Sequence, residues 1–499
     1  MLLWILVRLR DWGVTMQLAN LVARIIDSDL NRDRRQDFAL LSELAGECLQ
    51  ADAPLDTGYK IITNLYINYV KRIETASAFR QLASFATQLS RNLSSILNST
   101  EERELQRSTN SRPFTIFLID TDAWLGHLQI LGSFLQCCSI TERQNLEVIA
   151  LSGKTTSKWA RFLRKLDINY HHIPKGSIYS RLEIIKQRVR TLQAEEFSVR
   201  LIWITWPPLV FLGGLSRIAP TQIAWAMKYP FQTGLHYDEI IYAYGFGHHQ
   251  DQKHFMHDSS TPIRLLPFYL TREVLQATDQ SISQETTKKA REIIAQWQQK
   301  PERVAILSVA RPEKLCNEKF LIRLLSLLQK NPYAHFFWCG KKGSLDAQNF
   351  QSEILNYQMQ GRTTFLGWVH PWPVINQCDY FLDTCPFGSG VTLAQALRLK
   401  KSILIHQPEP TDRQFPEQML VEEPNFNAHI IEIVGDKSKH VTILDDKHVP
   451  MLERVLHVTD SSIELMDSDK RYWDPFKPTR ATHQLMVKRL LGISMPGDE

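Results

Sequence analysis

Residues 382–406 read LDTCPFGSGVTLAQALRLKKSILIH, and this stretch decides how the second half of the chain folds. An apolar run stops at Asp383, and an Ala/Leu-rich helix then follows directly after Gly388, Ser389 and Gly390. Glycines at such a point let the backbone approach another group closely, and a helix start offers unpaired N–H groups to an anion. The pattern fits a phosphate-binding turn, and it also fits a turn that only caps a helix.

The same alternation of short apolar runs and longer amphipathic stretches begins at residue 113. The first series is FTIFLID, LEVIALSG, INYHHIP, VRLIWITW, TQIAWAMKYP and EIIYAYG. After the polar segment 271–301 comes a second series, RVAILSVA, AHFFWCG, TTFLGW, YFLDTCP and KSILIHQ. Apolar runs of this length with helix-length gaps predict parallel strands with crossover helices. Two series predict an α/β protein with two facing Rossmann-like domains, whose ligands lie at the carboxyl ends of the strands.

The remaining parts of the chain complete the predicted domain organisation. Residues 1–112 have apolar residues at helical spacing and no convincing strand, which predicts an all-helical N-terminal domain. The Rossmann-like domains are expected over 113–270 and 271–410. The last segment, 411–499, ends in THQLMVKRLLGI and is predicted to be helical and to pack back on them.

Composition narrows the class of protein. The 499 residues are 43% hydrophobic and 22% charged, as in ordinary globular proteins. The 58 basic and 53 acidic residues give a net charge of +5 without runs of one sign, so no nucleic-acid partner is expected. The seven cysteines show neither metal nor disulfide spacing, which favours a reducing, cytoplasmic location. The opening MLLWILVRLRDW is too short to span a membrane and lacks the basic start of a signal peptide.

Two cations lie where a strand of the second series ends. The stretch SVARPEKLCNEKF places Arg311 and Lys314 in the loop after its first strand, and the glycine turn follows its fourth strand. Cations neutralise phosphate charge while backbone N–H groups hold the oxygens, so the two features together would form a diphosphate clamp. Taken alone, Arg311 and Lys314 are each typical of solvated charges on a protein surface.

The first domain offers a histidine at the corresponding place. His127 stands at the start of the helix that begins near Gly126, just after the first strand. A neutral imidazole there can act as a general base or bind a leaving phosphate, but it can equally cap a helix or fill the core. Asp120 and Asp122 close that strand, where capping is favoured over metal binding. The histidines of GHHQDQKHFMH have no zinc spacing, so no metal is predicted.

Four segments of the chain together resemble one protein family. They are RIAPTQIAWAMKYPFQTGLHYDEIIYAYG, SVARPEKLCN, FLGWVHP and DYFLDTCPFGSGVTLAQAL. Their order and spacing are similar to the catalytic region of the protein O-GlcNAc transferases and the bacterial cytosolic N-glucosyltransferases that modify adhesins. The resemblance covers roughly residues 113–410 and is strongest over 217–244 and 304–400. It implies an inverting, metal-free transferase of the two-Rossmann GT-B type that uses a UDP-sugar donor and no further cofactor.

The resemblance also implies roles on the donor side. Lys314 matches the lysine that grips the diphosphate, and Arg311 falls where the family has a polar donor-binding side chain. Val391 and Thr392 match a threonine pair at the start of the phosphate-binding helix, directly after the glycine turn. In GWVHPW, His370 matches a histidine that meets the uracil.

Two further positions bear on the reaction itself. His127 resembles the histidine near the reacting centre, whereas Gln395 stands where the family has a ribose-binding aspartate. The expected activity is transfer of a hexose or N-acetylhexosamine to an acceptor, and the resemblance favours a protein Ser/Thr or Asn side chain. Because Gln395 is not charged, a non-catalytic scaffold or chaperone of a partner glycosyltransferase stays open. A sugar-nucleotide epimerase also stays open, although Asp120 and Asp122 are the only suitable carboxylates in the first-domain loops.

Overall fold

The protein is described here by a computed structural model. It describes residues 45–46, 55–65, 81, 84–85, 88, 112–120, 126–151, 157–174, 176–204, 213–214, 216–226, 236–243, 261, 263–266, 271, 273–274, 282–310, 312–316, 318–340, 345–384, 391–399, 401–406, 441–444, 487 and 490–491. All of the described residues before Arg112 are helical.

The first sheet contains seven strands that are all parallel, in the order β3-β2-β1-β4-β5-β6-β7. Their bounds are β1 Arg112–Ile119, β2 Leu146–Ala150, β3 Asn169–His172, β4 Phe197–Ile204, β5 Thr221–Ala226, β6 Glu239–Ala243 and β7 Ile263–Leu266. The last six residues of β1 are buried, as expected for a central strand that is covered on both faces.

Five described helices belong to this half of the chain: α1 Leu55–Leu65, α2 Gly126–Cys137, α3 Ile140–Arg143, α4 Lys158–Lys165 and α5 Ile178–Ala194. Serine starts three of them, because a serine hydroxyl can accept from an N–H group that the helix leaves unpaired. Ser177 caps α5 through the N–H of Ser180 at 3.0 Å. The inward face of α5 repeats at helical spacing and consists of Ile178, Leu182, Ile185, Val189 and Leu192.

The second sheet contains six parallel strands in the order β10-β9-β8-β11-β12-β13. Their bounds are β8 Val304–Val309, β9 Ala334–Cys339, β10 Thr363–Phe365, β11 Tyr380–Leu382, β12 Ser402–His406 and β13 Val441–Leu444. The helices are α6 Gln284–Trp297, α7 Pro312–Leu315, α8 Glu318–Lys330, α9 Leu345–Asn356, α10 Pro371–Gln377 and α11 Val391–Arg398. No helix within the described residues is both long and apolar enough to cross a membrane.

The α/β prediction with two parallel sheets is confirmed, and all eleven predicted runs are strands. Two strands were missed, and both lie at an edge of a sheet. The first is β7, a run of four residues between Pro262 and Pro267. The second is β13, which lies inside the segment 411–499 that was predicted as helical, so the second sheet extends beyond residue 410. Neither strand belongs to an apolar run that continues the two predicted series, so length alone gave no signal for it.

The two halves of the chain meet in one apolar cluster. The buried core of the first sheet, which includes Phe117 and Leu128, is also packed by Trp372 of α10 and Val391 of α11. Three helical residues near the end of the chain, Val487, Leu490 and Leu491, are buried in the same cluster. Val274 belongs to it as well, although it follows the predicted boundary at 270.

Candidate functional site

Both sheets have the strand order of a doubly wound fold, so each has one switch point. In the first sheet it lies between β1 and β4, and in the second between β8 and β11. Helices leave such a point towards opposite faces, and a crevice opens at the carboxyl ends of the two strands. The candidate residues that the structure describes are found after β1, β8, β10 and β11.

Two hydrogen bonds hold the switch point of the second sheet. The buried Ser308 hydroxyl on β8 donates to the carbonyl of Leu382 on β11 at 2.6 Å. The Thr392 hydroxyl on α11 donates to the carbonyl of Val309, the last residue of β8, at 2.9 Å. The amino end of α11 is therefore fixed over the carboxyl end of β8. Thr392 thereby orients the backbone N–H groups of the first turn of α11, which are the groups that could hold a phosphate.

Of the predicted diphosphate clamp, the structure describes only Lys314, and this residue lies beside the switch point of the second sheet. Lys314 is half-buried on α7, the short helix that follows β8 directly. Arg311, Gly388, Ser389 and Gly390 lie outside the described residues.

Val391, the first residue of α11, contacts the first domain. Its side chain packs against the core cluster of the first sheet, together with Trp372. That cluster contains Leu128, the neighbour of His127 on α2. The first turn of α11 therefore lies against the first domain.

His127 lies in the first turn of α2, opposite the end of β1. Its Nε2 atom is 3.4 Å from Oδ1 of Asp120, and the side chains are 14% and 20% exposed. A carboxylate beside an imidazole restricts the orientation of the ring and stabilises its protonated form. The sequence interpretation had given Asp120 a capping role, whereas the structure places it against His127.

His370 is built into the fold of its loop. It is the N-cap of α10, where its Nδ1 atom accepts from the N–H of Trp372 at 3.2 Å. Its own N–H donates to the Thr287 hydroxyl at 3.0 Å, and the residue is buried. Trp368, two residues earlier in the same loop, is 45% exposed. Trp368 follows Gly367, whose backbone is left-handed (φ 85°).

The other candidates divide between the core and the part of the chain that is not described. Gln395 is buried in α11 with 3% exposure. Asp122 and the histidine-rich segment lie outside the described residues. Among the described residues there is no group of three or more His, Cys, Asp or Glu side chains that could hold a metal ion.

No protein-family model matches the chain, and no curated protein matches it by sequence. Solved structures match it over most of its length at low identity. An O-GlcNAc transferase mutant from Thermobaculum terrenum has a TM-score of 0.48 and 13% identity, covering 91% of this chain and 83% of that one. HepE from Anabaena in complex with UDP has a TM-score of 0.46 and 12% identity, covering 76% and 95%. A glycosyltransferase from Rickettsia africae has a TM-score of 0.44 and 12% identity, covering 77% and 100%.

Proposed function

We propose that the protein is an inverting glycosyltransferase that moves a hexose or N-acetylhexosamine from a UDP-sugar to an acceptor without a metal ion. One observation carries the proposal: Val391 in the first turn of α11 packs against the core cluster of the first domain, which is the domain that holds the Asp120–His127 pair. An anion-binding helix start and a proton acceptor then border one crevice between two switch points. The four segments that resemble the O-GlcNAc transferase family support the same assignment.

The donor side of the proposed site would hold the diphosphate. Backbone N–H groups of the first turn of α11 and the ammonium of Lys314 would neutralise the charge that grows on UDP as it leaves. This charge is larger in the transition state than in the bound donor, so these groups accelerate the reaction rather than only tightening binding. Arg311, His370 and the turn formed by Gly388, Ser389 and Gly390 are proposed to complete donor binding.

The acceptor side would use the first domain. The acceptor atom attacks the anomeric carbon from the face opposite UDP, and the bond from that carbon to the phosphate oxygen breaks, which inverts the configuration. The proton that the acceptor loses passes to the neutral imidazole of His127, and the Asp120 carboxylate stabilises the imidazolium. UDP leaves with the bonding electron pair, so the charges balance without an added ion.

The acceptor is proposed to be a Ser/Thr or Asn side chain of a protein, on the resemblance to the O-GlcNAc transferase family. The proposed location is the cytoplasm. Its support is that none of the five described cysteines forms a disulfide bond, and that Cys138, Cys339 and Cys378 are buried in the cores. Burial raises the pKa of the Cys378 thiol to about 12, which keeps it protonated and unreactive.

Mass spectrometry tests the proposal. The protein is incubated with a panel of UDP-sugars and candidate acceptor proteins, and intact masses are recorded. A mass gain of one hexose or one N-acetylhexosamine on an acceptor is the expected result. Binding of UDP without transfer or donor hydrolysis would instead favour a scaffold, a role that the buried Gln395 at the ribose position motivates. Conversion of the donor sugar without an acceptor would identify an epimerase.

A further inference from the structure

Gly340 directly follows β9 and contacts the segments that follow both neighbouring strands. The strands β8, β9 and β10 are adjacent and parallel, so their carboxyl ends lie side by side. The N–H of Gly340 donates to the carbonyl of Gly367, two residues after β10, at 3.1 Å. The position where a side chain would begin on Gly340 faces the ring of Pro312, the first residue of α7. Gly340 therefore lies between the loop after β10 and the helix that carries Lys314.

The space beside Gly340 is filled by the proline ring. A Cβ atom built on Gly340 would lie 2.7 Å from Cγ and 3.2 Å from Cδ of the buried Pro312. Carbon atoms in contact are normally about 3.5–4.0 Å apart, and the ring of a proline is closed on its own backbone nitrogen, so it cannot swing aside. Among the described glycines only Gly367 has a positive φ. The close approach of α7, and not a left-handed backbone, therefore explains the glycine at position 340.

Helix α7 is a single turn, and its residues move together. The N–H of Cys316 donates to the carbonyl of Pro312 at 3.3 Å, which closes the turn. Pro312 and Leu315 are buried, and Lys314 lies half-buried between them. A displacement of the Pro312 ring is therefore passed to the backbone that carries the Lys314 ammonium group.

The loop after β10 is tied to two other elements through its main chain. The N–H of Leu366 donates to the carbonyl of Trp338 at 2.9 Å, so the pairing of β9 with β10 continues into the loop. The N–H of His370 donates to the Thr287 hydroxyl on α6 at 3.0 Å. A methyl group on Gly340 should therefore displace α7 rather than this loop.

We propose that Gly340 is a positioning residue of the donor site: the absence of a side chain lets α7 pack against the end of β9 and thereby sets the place of Lys314 beside the start of α11. The inference rests on the proposed function, in which Lys314 neutralises the diphosphate of the donor. In this role Gly340 acts on the nucleotide only through Lys314.

Calorimetric titration with UDP tests this role. Gly340→Ala should weaken UDP binding about tenfold, because the ammonium of Lys314 is moved out of its charge-assisted contact with the diphosphate. The matched control is Gly361→Ala, since a Cβ atom there meets nothing within 4 Å, and its Kd should equal that of the wild type. In a Lys314→Ala background, Gly340→Ala should change the Kd by less than about twofold, because the group through which it acts is gone.

An unchanged Kd in Gly340→Ala would overturn the inference. Equal weakening with and without Lys314 would also overturn it, because the substitution would then only disturb the fold. Wild-type protein that does not bind UDP would instead refute the proposed donor site itself. If Gly340→Ala does not fold, Pro312→Ala replaces it, since it removes the ring atoms that meet Gly340 without adding a clash. UDP binding should again weaken only where Lys314 is present, and weakening that is independent of Lys314 would overturn the inference.

Discussion

Acid should weaken the second sheet through one buried histidine that lies far from the proposed chemistry. His335 is the second residue of β9, at the amino end of the sheet, and is 7% exposed. Its ring lies 4.6 Å from the Trp297 ring and 4.8 Å from the Phe337 ring, between centroids, and its Nε2 is 2.7 Å from the Thr364 hydroxyl oxygen. Burial lowers the pKa of His335 to about 4, and the charges of Arg362 and Arg303 lower it further in the same direction.

Whether acid stabilises or destabilises the folded protein depends on which state binds the proton at His335. Between pH 6.5 and 4 the unfolded chain binds a proton at His335 and the folded protein does not, so acid favours unfolding. The stabilisation is fully present above pH 6.5 and falls with pH until the folded state is protonated near pH 4. From a pKa of about 4 in place of 6.5, the loss is about 2 kcal/mol at pH 5 and approaches about 3 kcal/mol near pH 4.

Amide hydrogen exchange measured by mass spectrometry on β8, β9 and β10 reports this loss locally. The control variant is His335→Gln, which keeps a polar atom near Thr364 but does not titrate. Comparing the two proteins at the same pH cancels the intrinsic pH dependence of exchange. From pH 7 to pH 5 the ratio of the wild-type exchange rate to that of the variant should rise about 20-fold, for amides that exchange by unfolding of the sheet. An unchanged ratio would refute the reasoning.

Three other changes are expected to have measurable effects. Lys314→Ala should reduce kcat about 10²–10³-fold in a UDP-release assay, and the exposed-lysine control Lys288→Ala should keep wild-type turnover. His127→Ala should lose about 10²–10⁴-fold in transfer rate together with the acidic limb of the rate–pH profile, and an active variant that keeps this limb would exclude the base role. Arg188→Ala removes the guanidinium that lies 2.7 Å from the buried Glu147 carboxylate. The free energy of unfolding should fall by about 3–5 kcal/mol, and an unchanged urea-unfolding curve would contradict this.

The sequence predicted the central strands well because they are buried on both faces. Each such strand is a nearly continuous apolar run, as in β8 and β9, where every residue is buried and only Ser308 and His335 are polar. The edge strand β13 gave no comparable signal, because its four residues stand among polar and charged neighbours. Parallel pairing of β13 with β12 depends on tertiary packing rather than on local pattern.

The sequence predicted the site residues that directly follow strand ends. It could not predict contacts that depend on packing between segments far apart in the chain. Lys314 and Thr392 follow β8 and β11, and topology alone brings these strand ends together. The contact of Val391 with the first domain could not be predicted, since the partner residues are far away in sequence. The family resemblance predicts that His370 contacts the uracil, and the structure shows that His370 caps α10. The capping role fits the sequence, because the next residue is Pro371 and proline is favoured at the first position of a helix.

The most direct measurement of the central claim is hydrogen exchange with and without UDP. The claim is that the carboxyl edge of the second sheet holds a nucleotide diphosphate at the start of α11. UDP should slow exchange in the peptides that contain Lys314 and Thr392, and Thr392→Val, which loses the bond to the Val309 carbonyl, should weaken this protection. Absence of protection there at saturating UDP, or protection confined to the first sheet, would contradict the account.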